Sequence, residues 1–190
     1  MCCKQNFSAL KIIVAGIDEV GRGALAGPVI AAAVILEKNI SGLDDSKKLS
    51  PKKRSHFSDL IKNNSMYAFG SASNNEIDDI NILNASLLAM KRAILNLSVK
   101  PDLVLVDGID KPDLDIKMEA IIGGDAQKKE ISAASIIAKV YRDNLMVEYD
   151  KSFPNYGFGK HKGYGTKEHL NSIKVNGICS IHRKSFKGVK

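Results

Sequence analysis

The alternation of apolar and polar stretches along the chain predicts five β-strands. Two runs rich in Ile, Val and Ala come first, and the glycine-containing stretch 21–27 between them is short enough to join an antiparallel pair. A later uninterrupted apolar run, Leu103 to Val106, is typical of a strand buried on both faces. The strands are predicted over residues 11–18, 28–36, 66–73, 103–106 and 114–122.

Helical spacing and helix-end signals predict four helices among these strands. Ser50 before Pro51 is typical of a helix start, and Ser73 with Glu76 matches the capping-box pattern. After Ser73, apolar residues recur every three or four positions, which predicts one apolar stripe packed on a core. The stripe consists of Ile80, Leu83, Leu87, Met90, Ile94 and Leu97. The last two helices are predicted over residues 130–149 and 166–175.

The order of these elements predicts an α/β protein with a mixed sheet, because strands come first and helices are interspersed among them. The 190-residue length and the lack of an internal repeat or low-complexity linker in the sequence predict one domain. We place this domain at residues 11–190, after an N-terminal lead-in of residues 1–10.

Membrane and export signals are missing from the sequence. The longest apolar stretches, such as residues 29–36, are too short to cross a bilayer, and the N-terminus lacks the charged-then-apolar layout of a secretory signal. Cys2, Cys3 and Cys179 match neither a disulfide framework nor a zinc-binding spacing, which indicates a reducing compartment. We therefore expect a soluble cytoplasmic protein with no membrane partner.

The positive charge of the chain is concentrated at its C-terminal end. The net charge is +7, yet residues 151–190 hold nine Lys or Arg and one acid, whereas residues 1–150 hold 19 basic and 20 acidic residues. Such clustering is what binding to phosphates requires, although a solvated basic tail is the alternative. Histidines and aromatic residues interleave with these cations, which favours a nucleic-acid surface. They are His161, His169, His182, Phe153, Tyr156, Phe158, Tyr164 and Phe186.

These histidines show no metal-ligand spacing and no partner Ser or Cys motif, so a hydrolase triad has little support. We interpret them as solvated side chains or phosphate contacts.

Acidic residues follow three strongly apolar segments. Asp18 and Glu19 lie at the end of the first predicted strand, and Asp107 follows the fourth. Asp125 comes shortly after the fifth strand. If the first and fourth strands are neighbours, their carboxylates meet at one sheet edge, where like charges repel unless a cation lies among them. Carboxylates without Cys or His select hard ions such as Mg²⁺ or Mn²⁺, and two such ions can assist attack of water on a phosphodiester. A turn or cap role for each acid is the alternative.

The adjacency of Asp18 and Glu19 raises a geometric difficulty, because neighbouring side chains of a regular strand point to opposite faces. We therefore expect the strand to end or bulge at this pair. The following Gly21, Arg22 and Gly23 permit close backbone approach, so their N–H groups can contact a phosphate or a sugar hydroxyl. A glycine-rich turn that only joins two strands is the simpler interpretation.

Six blocks of sequence, in order, match a known family over roughly residues 11–187. The most specific is residues 16–29, GIDEVGRGALAGPV. The others are DSKKLS at 45–50, VDG at 106–108, GD at 124–125 with SAASIIAKV at 132–140 and RD at 142–143, HKGYGT at 161–166 with His169, and HRKSF at 182–186. Together these blocks resemble the signature of bacterial ribonuclease HII.

This resemblance implies a ribonuclease-H-like fold, a central mixed sheet flanked by helices. It implies a metal-dependent endonuclease that hydrolyses the RNA strand of RNA–DNA hybrids and nicks 5′ of ribonucleotides embedded in duplex DNA, using Mn²⁺ or Mg²⁺. Metal-assisted attack of water would leave 3′-OH and 5′-phosphate ends, and we expect the enzyme to act as a monomer. On this basis residues 11–190 are a type 2 ribonuclease H domain, and residues 151–190 are its basic substrate-binding segment.

The resemblance also implies roles for ten residues. By position, Asp18, Glu19, Asp107 and Asp125 are similar to the four catalytic carboxylates of the family, which hold the metal. Gly21, Arg22 and Gly23 would sense the ribonucleotide 2′-OH, the group that distinguishes RNA from DNA. Tyr164 would stack on the sugar next to the RNA–DNA junction, and Ser135 and Lys139 would lie on a substrate-side helix.

The sequence departs from the family pattern at a few positions. Val20 stands where Ala is commoner, and Gly123 replaces a Lys often found there, which weakens a local phosphate contact. The chain stops soon after Phe186, without the C-terminal helical extension of some relatives, so we expect weaker substrate binding.

Two other classes of function stay open on the residues alone. A resolvase or integrase on a similar scaffold would cut all-DNA substrates and would not need a 2′-OH. A nucleic-acid-binding module with structural acids would bind in a salt-sensitive way that is indifferent to metal.

Overall fold

The computed structural model describes residues 12–43 and 49–189. Residues 45–48 of the DSKKLS block, together with Cys2 and Cys3, lie outside the described residues. Five strands form one sheet in the order β3-β2-β1-β4-β5. Strand β2 is antiparallel to β1 and β3, whereas β4 is parallel to β1 and β5, so the predicted mixed sheet is confirmed. The strands are β1 Val14–Val20, β2 Val29–Leu36, β3 Ser65–Ala72, β4 Leu103–Asp107 and β5 Lys117–Ile121.

The four predicted helices are present, and the first two of them begin at the expected serine caps. The Ser50 side chain accepts from the backbone N–H of Lys53, and Ser73 with Glu76 forms a complete capping box. A short helix and a 3-10 turn were not predicted, because neither is long enough to leave a periodic pattern. The helices are α1 Pro51–Asn63, α2 Asn74–Leu95, α3 Lys129–Ser152, the short α4 Phe158–His161, and α5 Lys167–Asn176, and the 3-10 turn is Gly124–Ala126.

Helices α2 and α3 cover opposite faces of the sheet. Helix α2 packs on the face that carries Ala15 and Ile17 of β1, and α3 packs on the face that carries Ala32 and Val34 of β2. The start of α3 comes very close to β1 at Gly16, where an added Cβ would lie 2.1 Å from the carbonyl carbon of Glu130. Gly16 therefore permits the contact that sets α3 beside the end of β1.

The predicted apolar stripe of α2 is only half right. Ile80 and Leu83 are 37% and 38% exposed, whereas Met90 and Ile94 are buried. The helix kinks at Asn81, whose φ of 65° and ψ of 167° are not helical. Its side-chain oxygen caps the following turn by accepting from the N–H groups of residues 83 and 84 at 3.0 and 3.1 Å. The kink interrupts the helical period, so Ile80 and Leu83 beside it fall off the buried face, whereas Ile77 before it stays on that face.

The C-terminal aromatic residues form a third core instead of an open nucleic-acid surface. Tyr156 and Phe158 are buried and stack with their ring centroids 5.4 Å apart. They pack with Ala26, Met146 and Ile181, and Phe153 lies against them. The prediction that interleaved aromatics and cations mark a binding surface is therefore wrong for these three rings, because their apolar area is used for packing.

The three C-terminal histidines are buried, so the prediction of solvated or phosphate-contacting histidines is also wrong. His161 stacks on His169 with centroids 4.5 Å apart, and Nε2 of His169 lies 3.1 Å from Nε2 of His182. Burial lowers the pKa of His169 to about 4 and also lowers the pKa of His182. As neutral rings, His169 and His182 pack with the aromatic core.

Within residues 12–43 and 49–189, no helix combines the length and the apolar character that crossing a bilayer would require.

Candidate active site

Two carboxylates meet where the parallel strands β1 and β4 end. Val106 of β4 is paired with Ile17 of β1, so the next residues, Asp107 and Asp18, lie level on neighbouring strands. Val106 and Ile17 both belong to the core under α2, and side chains alternate along a strand. Asp18 and Asp107 therefore share the opposite face, under α3. The two acids therefore lie together at one edge of the sheet, as predicted.

Glu19 occupies the other face of the same strand end. Strand β1 runs on to Val20, and its pairing with β2 is unbroken from Gly16 to Val20, so the expected strand end or bulge at Asp18 and Glu19 is wrong. The Glu19 carboxylate instead accepts from the guanidinium of Arg22 at 3.0 Å. Asp18 and Glu19 thus lie on opposite faces of the sheet, Asp18 on the α3 face and Glu19 on the α2 face.

The electrostatic state of Asp18 reflects this crowding. Asp18 is only 7% exposed, and burial, followed by repulsion from Glu19 and Asp107, raises its pKa to about 8. A hydrogen bond from Ser135 and the Glu19 backbone N–H, at 2.7 Å, offsets part of this rise. Protonation or a bound cation is what makes such a carboxylate tolerable.

Asp125 lies in the 3-10 turn after β5 and is 3% exposed. The preceding residue, Gly124, donates its backbone N–H to Oδ1 of Asp107 at 2.7 Å. The 3-10 turn that carries Asp125 is therefore hydrogen-bonded to the carboxylate of Asp107. Gly123 begins this turn in the left-handed conformation, with φ of 64° and ψ of 36°, which glycine adopts at little cost.

Two cavities adjoin the acidic edge, one on each face of the sheet. The first, of about 390 Å³, lies on the α3 side and contains every acid of β1 and β4. Its polar lining consists of Asp18, Glu19, Asp107, Ser135, Lys139 and Arg54. The second, of about 220 Å³, lies on the α2 side. Glu19 and Asp107 line both cavities, so these two acids connect the two faces.

The donors at this edge fit a hard divalent cation in kind. The acids of the first cavity offer only oxygen atoms, the ligands that Mg²⁺ and Mn²⁺ prefer, and burial raises the pKa of Asp18 among them. Their arrangement is not that of a closed site: among the described residues, no group of three or more Asp, Glu, His or Cys side chains is placed to hold an ion. Asp18 and Glu19 lie on opposite faces of the sheet, which is why they do not form a compact group of ligands with Asp107.

The glycine-containing loop after β1 is held from behind by two fully buried arginines. Arg142 of α3 donates to three backbone carbonyls at 3.0–3.1 Å, and Arg183 donates to two at 2.8 and 2.9 Å. These carbonyls belong to Ala26, Pro28 and Lys162 for Arg142, and to Gly27 and Arg22 for Arg183. Gly21, with φ of 97°, leaves room for the guanidinium, since a Cβ there would lie 2.2 Å from Nε of Arg142.

The remaining candidate substrate contacts lie beside this loop. Tyr164 forms a β-bridge with Ala24, and its ring centroid lies 5.6 Å from the Lys139 ammonium and 5.5 Å from the Arg142 guanidinium carbon. Lys139 also pairs with Asp143 at 2.8 Å. Arg22 and Gly23 are exposed, whereas Gly21 is buried. The ten residues singled out from the sequence thus lie on neighbouring elements, around the acidic edge and its loop.

Several residues at the site were not assigned a role from the sequence. Arg142 carries a readable signal, since Ala138, Arg142 and Met146 follow one another at helical four-residue spacing and are all buried. Arg183 and Arg54 gave no such signal, because their environments depend on contacts between distant segments. The same holds for Ser86, which reaches the second cavity through the packing of α2 on the sheet.

Comparisons with known proteins agree on one family. The family description "Ribonuclease HII" matches residues 15–189. The ribonuclease HII of Thermotoga maritima is 55% identical over 177 residues, covering 93% of this chain and 74% of the relative. The crystal structure of ribonuclease H2 from Pyrococcus horikoshii superposes with a TM-score of 0.76 at 28% identity, covering 94% of this chain and 95% of that one. The Mn²⁺ complex of Bst-RNase HIII shares the fold alone, with a TM-score of 0.73 at 17% identity over 94% of this chain and 68% of that one.

A mixed five-stranded sheet with carboxylates at the ends of two parallel strands, together with these structural neighbours, defines a nuclease of the ribonuclease-H-like class. Within this class, ribonucleases HII are metal-dependent endoribonucleases. Within it, the chain belongs to the ribonuclease HII family. Its activity is endonucleolytic hydrolysis of the RNA strand in RNA–DNA hybrids.

Proposed function

We propose that Asp18, Glu19, Asp107 and Asp125 form the catalytic, metal-holding set of this nuclease. The observation that carries the proposal is the level placement of Asp18 and Asp107 on neighbouring parallel strands, with Glu19 at the same edge. Asp125 follows Gly124, whose N–H donates to Asp107, and this contact ties the turn that carries the fourth acid to the third. A divalent ion at this edge neutralises the carboxylates and stabilises charge that develops on the phosphodiester.

The metal is Mn²⁺ or Mg²⁺, since an oxygen-only donor set selects hard divalent ions. The Mn²⁺ complex of the related-fold ribonuclease HIII supports manganese as one of the two. The protein holds these acids at the end of the parallel strands, where burial raises the pKa of Asp18. Release of the Asp18 proton therefore accompanies cation binding.

The substrate includes single ribonucleotides embedded in duplex DNA, with cleavage on their 5′ side. In this proposal the backbone of Gly21, Arg22 and Gly23 senses the 2′-OH, and Tyr164 stacks on the adjoining sugar. The fixed position of the loop supports the first role, because the two buried arginines leave its outer side, Arg22 and Gly23, free to face solvent. Ser135 and Lys139 line the first cavity and contact the cleaved strand there.

Products with 3′-OH and 5′-phosphate ends follow if water attacks in line, opposite the 3′ oxygen that leaves. We further propose that one domain, residues 11–190, carries this activity as a cytoplasmic monomer and that residues 151–190 supply a basic surface that binds the substrate. Six basic side chains of that segment are exposed in support of this last point. They are Lys151, Lys160, Lys167, Lys174, Lys184 and Lys187.

Cleavage of three labelled duplexes tests the proposal: an RNA–DNA hybrid, a DNA duplex with one internal ribonucleotide, and an all-DNA duplex. With Mn²⁺ or Mg²⁺ added in turn, we expect cutting of the first two and none of the third, with the single-ribonucleotide product ending in 3′-OH. Cutting of the all-DNA duplex would favour a DNA nuclease. Binding without cutting under either metal would favour a passive nucleic-acid-binding module.

The role of Asp107 is tested separately by Asp107→Asn. The amide keeps the acceptor for the Gly124 N–H but removes the charge, so we expect the turnover rate to fall by at least about a thousandfold while hybrid affinity stays within a few fold. Asp113→Asn, at an exposed acid outside both cavities, is the matched control and should leave turnover unchanged. Wild-type turnover in Asp107→Asn would exclude this residue from the site.

A further inference from the structure

The second cavity contains a buried hydroxyl that lacks a partner. Ser86 of α2 is 2% exposed and lines this cavity, and its Oγ has no hydrogen-bond partner among residues 12–43 and 49–189. A buried hydroxyl without a hydrogen bond is destabilising, so such groups are normally satisfied by protein, ligand or ordered water. The cavity volume of about 220 Å³ is sufficient for several waters, and it lies next to this serine.

Three carboxylates line this cavity, and one of them, Asp110, is exposed to solvent, which leaves Glu19 and Asp107 as candidate partners for the buried hydroxyl. Asp107 has one oxygen held by the Gly124 N–H, and its strand register places it on the α3 face. Glu19 is paired with Ala31, a residue of the core under α2, so Glu19 faces the helix that carries Ser86. One oxygen of the Glu19 carboxylate accepts a hydrogen bond from the Arg22 guanidinium at 3.0 Å.

Apolar side chains complete the cavity and shape the interaction within it. Leu83, Leu87 and Met90 from α2 line it together with Ile109 and Ile122. A hydrogen bond surrounded by such side chains is stronger than one in bulk water, because the local dielectric constant is lower. A hydrogen-bonded connection from the Ser86 hydroxyl to a carboxylate in this cavity is therefore stronger than a hydrogen bond from that hydroxyl to bulk water.

We propose that Ser86 is a positioning residue for Glu19. Its hydroxyl donates to one water in the second cavity, which in turn donates to the Glu19 carboxylate, so that Glu19 is held from the Ser86 side as well as by Arg22. Glu19 is thereby kept at the sheet edge beside Asp107, where both acids are available to one cation. The inference rests on the proposed metal-holding role of Glu19 and extends it to a residue on α2.

The experiment compares variants that separate the hydroxyl from the shape of the side chain. Ser86→Ala and Ser86→Val remove the hydroxyl, whereas Ser86→Thr keeps it on a side chain of the same shape as valine. Ser58→Ala is the matched control, because Ser58 is a fully buried helical serine whose Oγ likewise lacks a partner among the described residues but does not line either cavity. Each variant is measured for Mn²⁺ affinity without substrate, for kcat and KM on a hybrid, and for its unfolding transition.

We expect Ser86→Ala and Ser86→Val to lose roughly ten- to a hundredfold in Mn²⁺ affinity and in kcat, the usual effect of removing a residue that orients a metal ligand. KM for the hybrid should change little, and Ser86→Thr and Ser58→Ala should behave like the wild type. Equal losses in Thr and Val variants would overturn the proposal, since shape alone would then explain them. Wild-type Mn²⁺ affinity in Ser86→Ala would overturn it as well.

A double-mutant cycle with Glu19→Ala separates failure of this inference from failure of the proposed active site. If Glu19→Ala weakens Mn²⁺ binding and Ser86→Ala adds nothing in that background, the two residues act together. If Glu19→Ala weakens Mn²⁺ binding but the two effects simply add, Ser86 acts elsewhere and only the present inference fails. If Glu19→Ala binds Mn²⁺ and turns over like the wild type, the assignment of Glu19 to the active site fails.

Discussion

At the scale of single residues, Asp18 shows how function opposes stability in this fold. Its carboxylate is buried against two other acids, and its pKa is raised to about 8 by burial first and by Glu19 and Asp107 second. Between pH 3.8 and about 8 the folded protein therefore holds a proton that the unfolded chain releases. Stability attributable to Asp18 falls as pH rises through this window.

A neutral side chain in place of Asp18 should remove this loss of stability with rising pH. In metal-free buffer, Asp18→Asn should be more stable than the wild type by about 1–3 kcal/mol at pH 8, and by less at pH 5. The amide oxygen can still accept from the Glu19 N–H, so packing is preserved. Urea unfolding in the presence of a chelator measures the difference, with Asp113→Asn as the exposed control. A less stable Asp18→Asn at pH 8 would contradict the assigned electrostatic cost.

The same residues show how far the site could be predicted from the sequence. Asp18 and Asp107 could be placed together, since each ends an apolar run and parallel strand ends share an edge. The arrangement of Glu19 could not, because whether a strand bulges depends on its pairing with β2. The orphan hydroxyl of Ser86 could not be foreseen either, since burial of one serine in an amphipathic helix depends on the helix rotation.

At the scale of elements, the connection between fold and site is the contact of α3 with β1. Helix α3 carries Ser135 and Lys139 into the first cavity, and it reaches the strand because Gly16 has no side chain. Capping signals and apolar runs predicted most elements within a few residues. They failed at the kink of Asn81, where a positive φ inside an apolar pattern turns Ile80 and Leu83 out of the buried face.

Gly16→Ala tests this contact. The new Cβ would fall 2.1 Å from backbone of α3, which cannot move away as a flexible side chain could. We expect a loss of at least about 2 kcal/mol in unfolding free energy, together with reduced turnover because α3 shifts away from the acids. Gly23→Ala serves as the stability control, as a Cβ there has nothing within 4 Å. Equal unfolding midpoints for the two variants would show that α3 can be displaced at little cost.

At the scale of the whole molecule, charge and aromatic content proved poor guides to the C-terminal segment. Nine basic residues were counted there, yet Arg183 is buried under the glycine-containing loop. Lys151 and Lys160 are paired with Glu148 and Glu168 at 2.8 and 3.1 Å. Composition gives the number of cations but not their burial or pairing, which are set by how the segment folds back on Ala26 and Met146.

The buried histidines of this segment determine the acid side of the stability profile. Burial lowers the pKa of His169 to about 4, while in the unfolded chain the ordinary value is about 6.5, so the unfolded state binds more protons between these limits. Stability from His169 is complete above pH 6.5 and is lost as pH falls toward 4, opposite in sense to Asp18. Measured in the Asp18→Asn background, which removes the opposing titration, unfolding free energy should fall by roughly 2 kcal/mol from pH 7 to pH 5 through His169 alone. Nuclear magnetic resonance of its ring protons gives the direct check, since titration near pH 6.5 in the folded protein would mean that the aromatic core does not keep this histidine neutral.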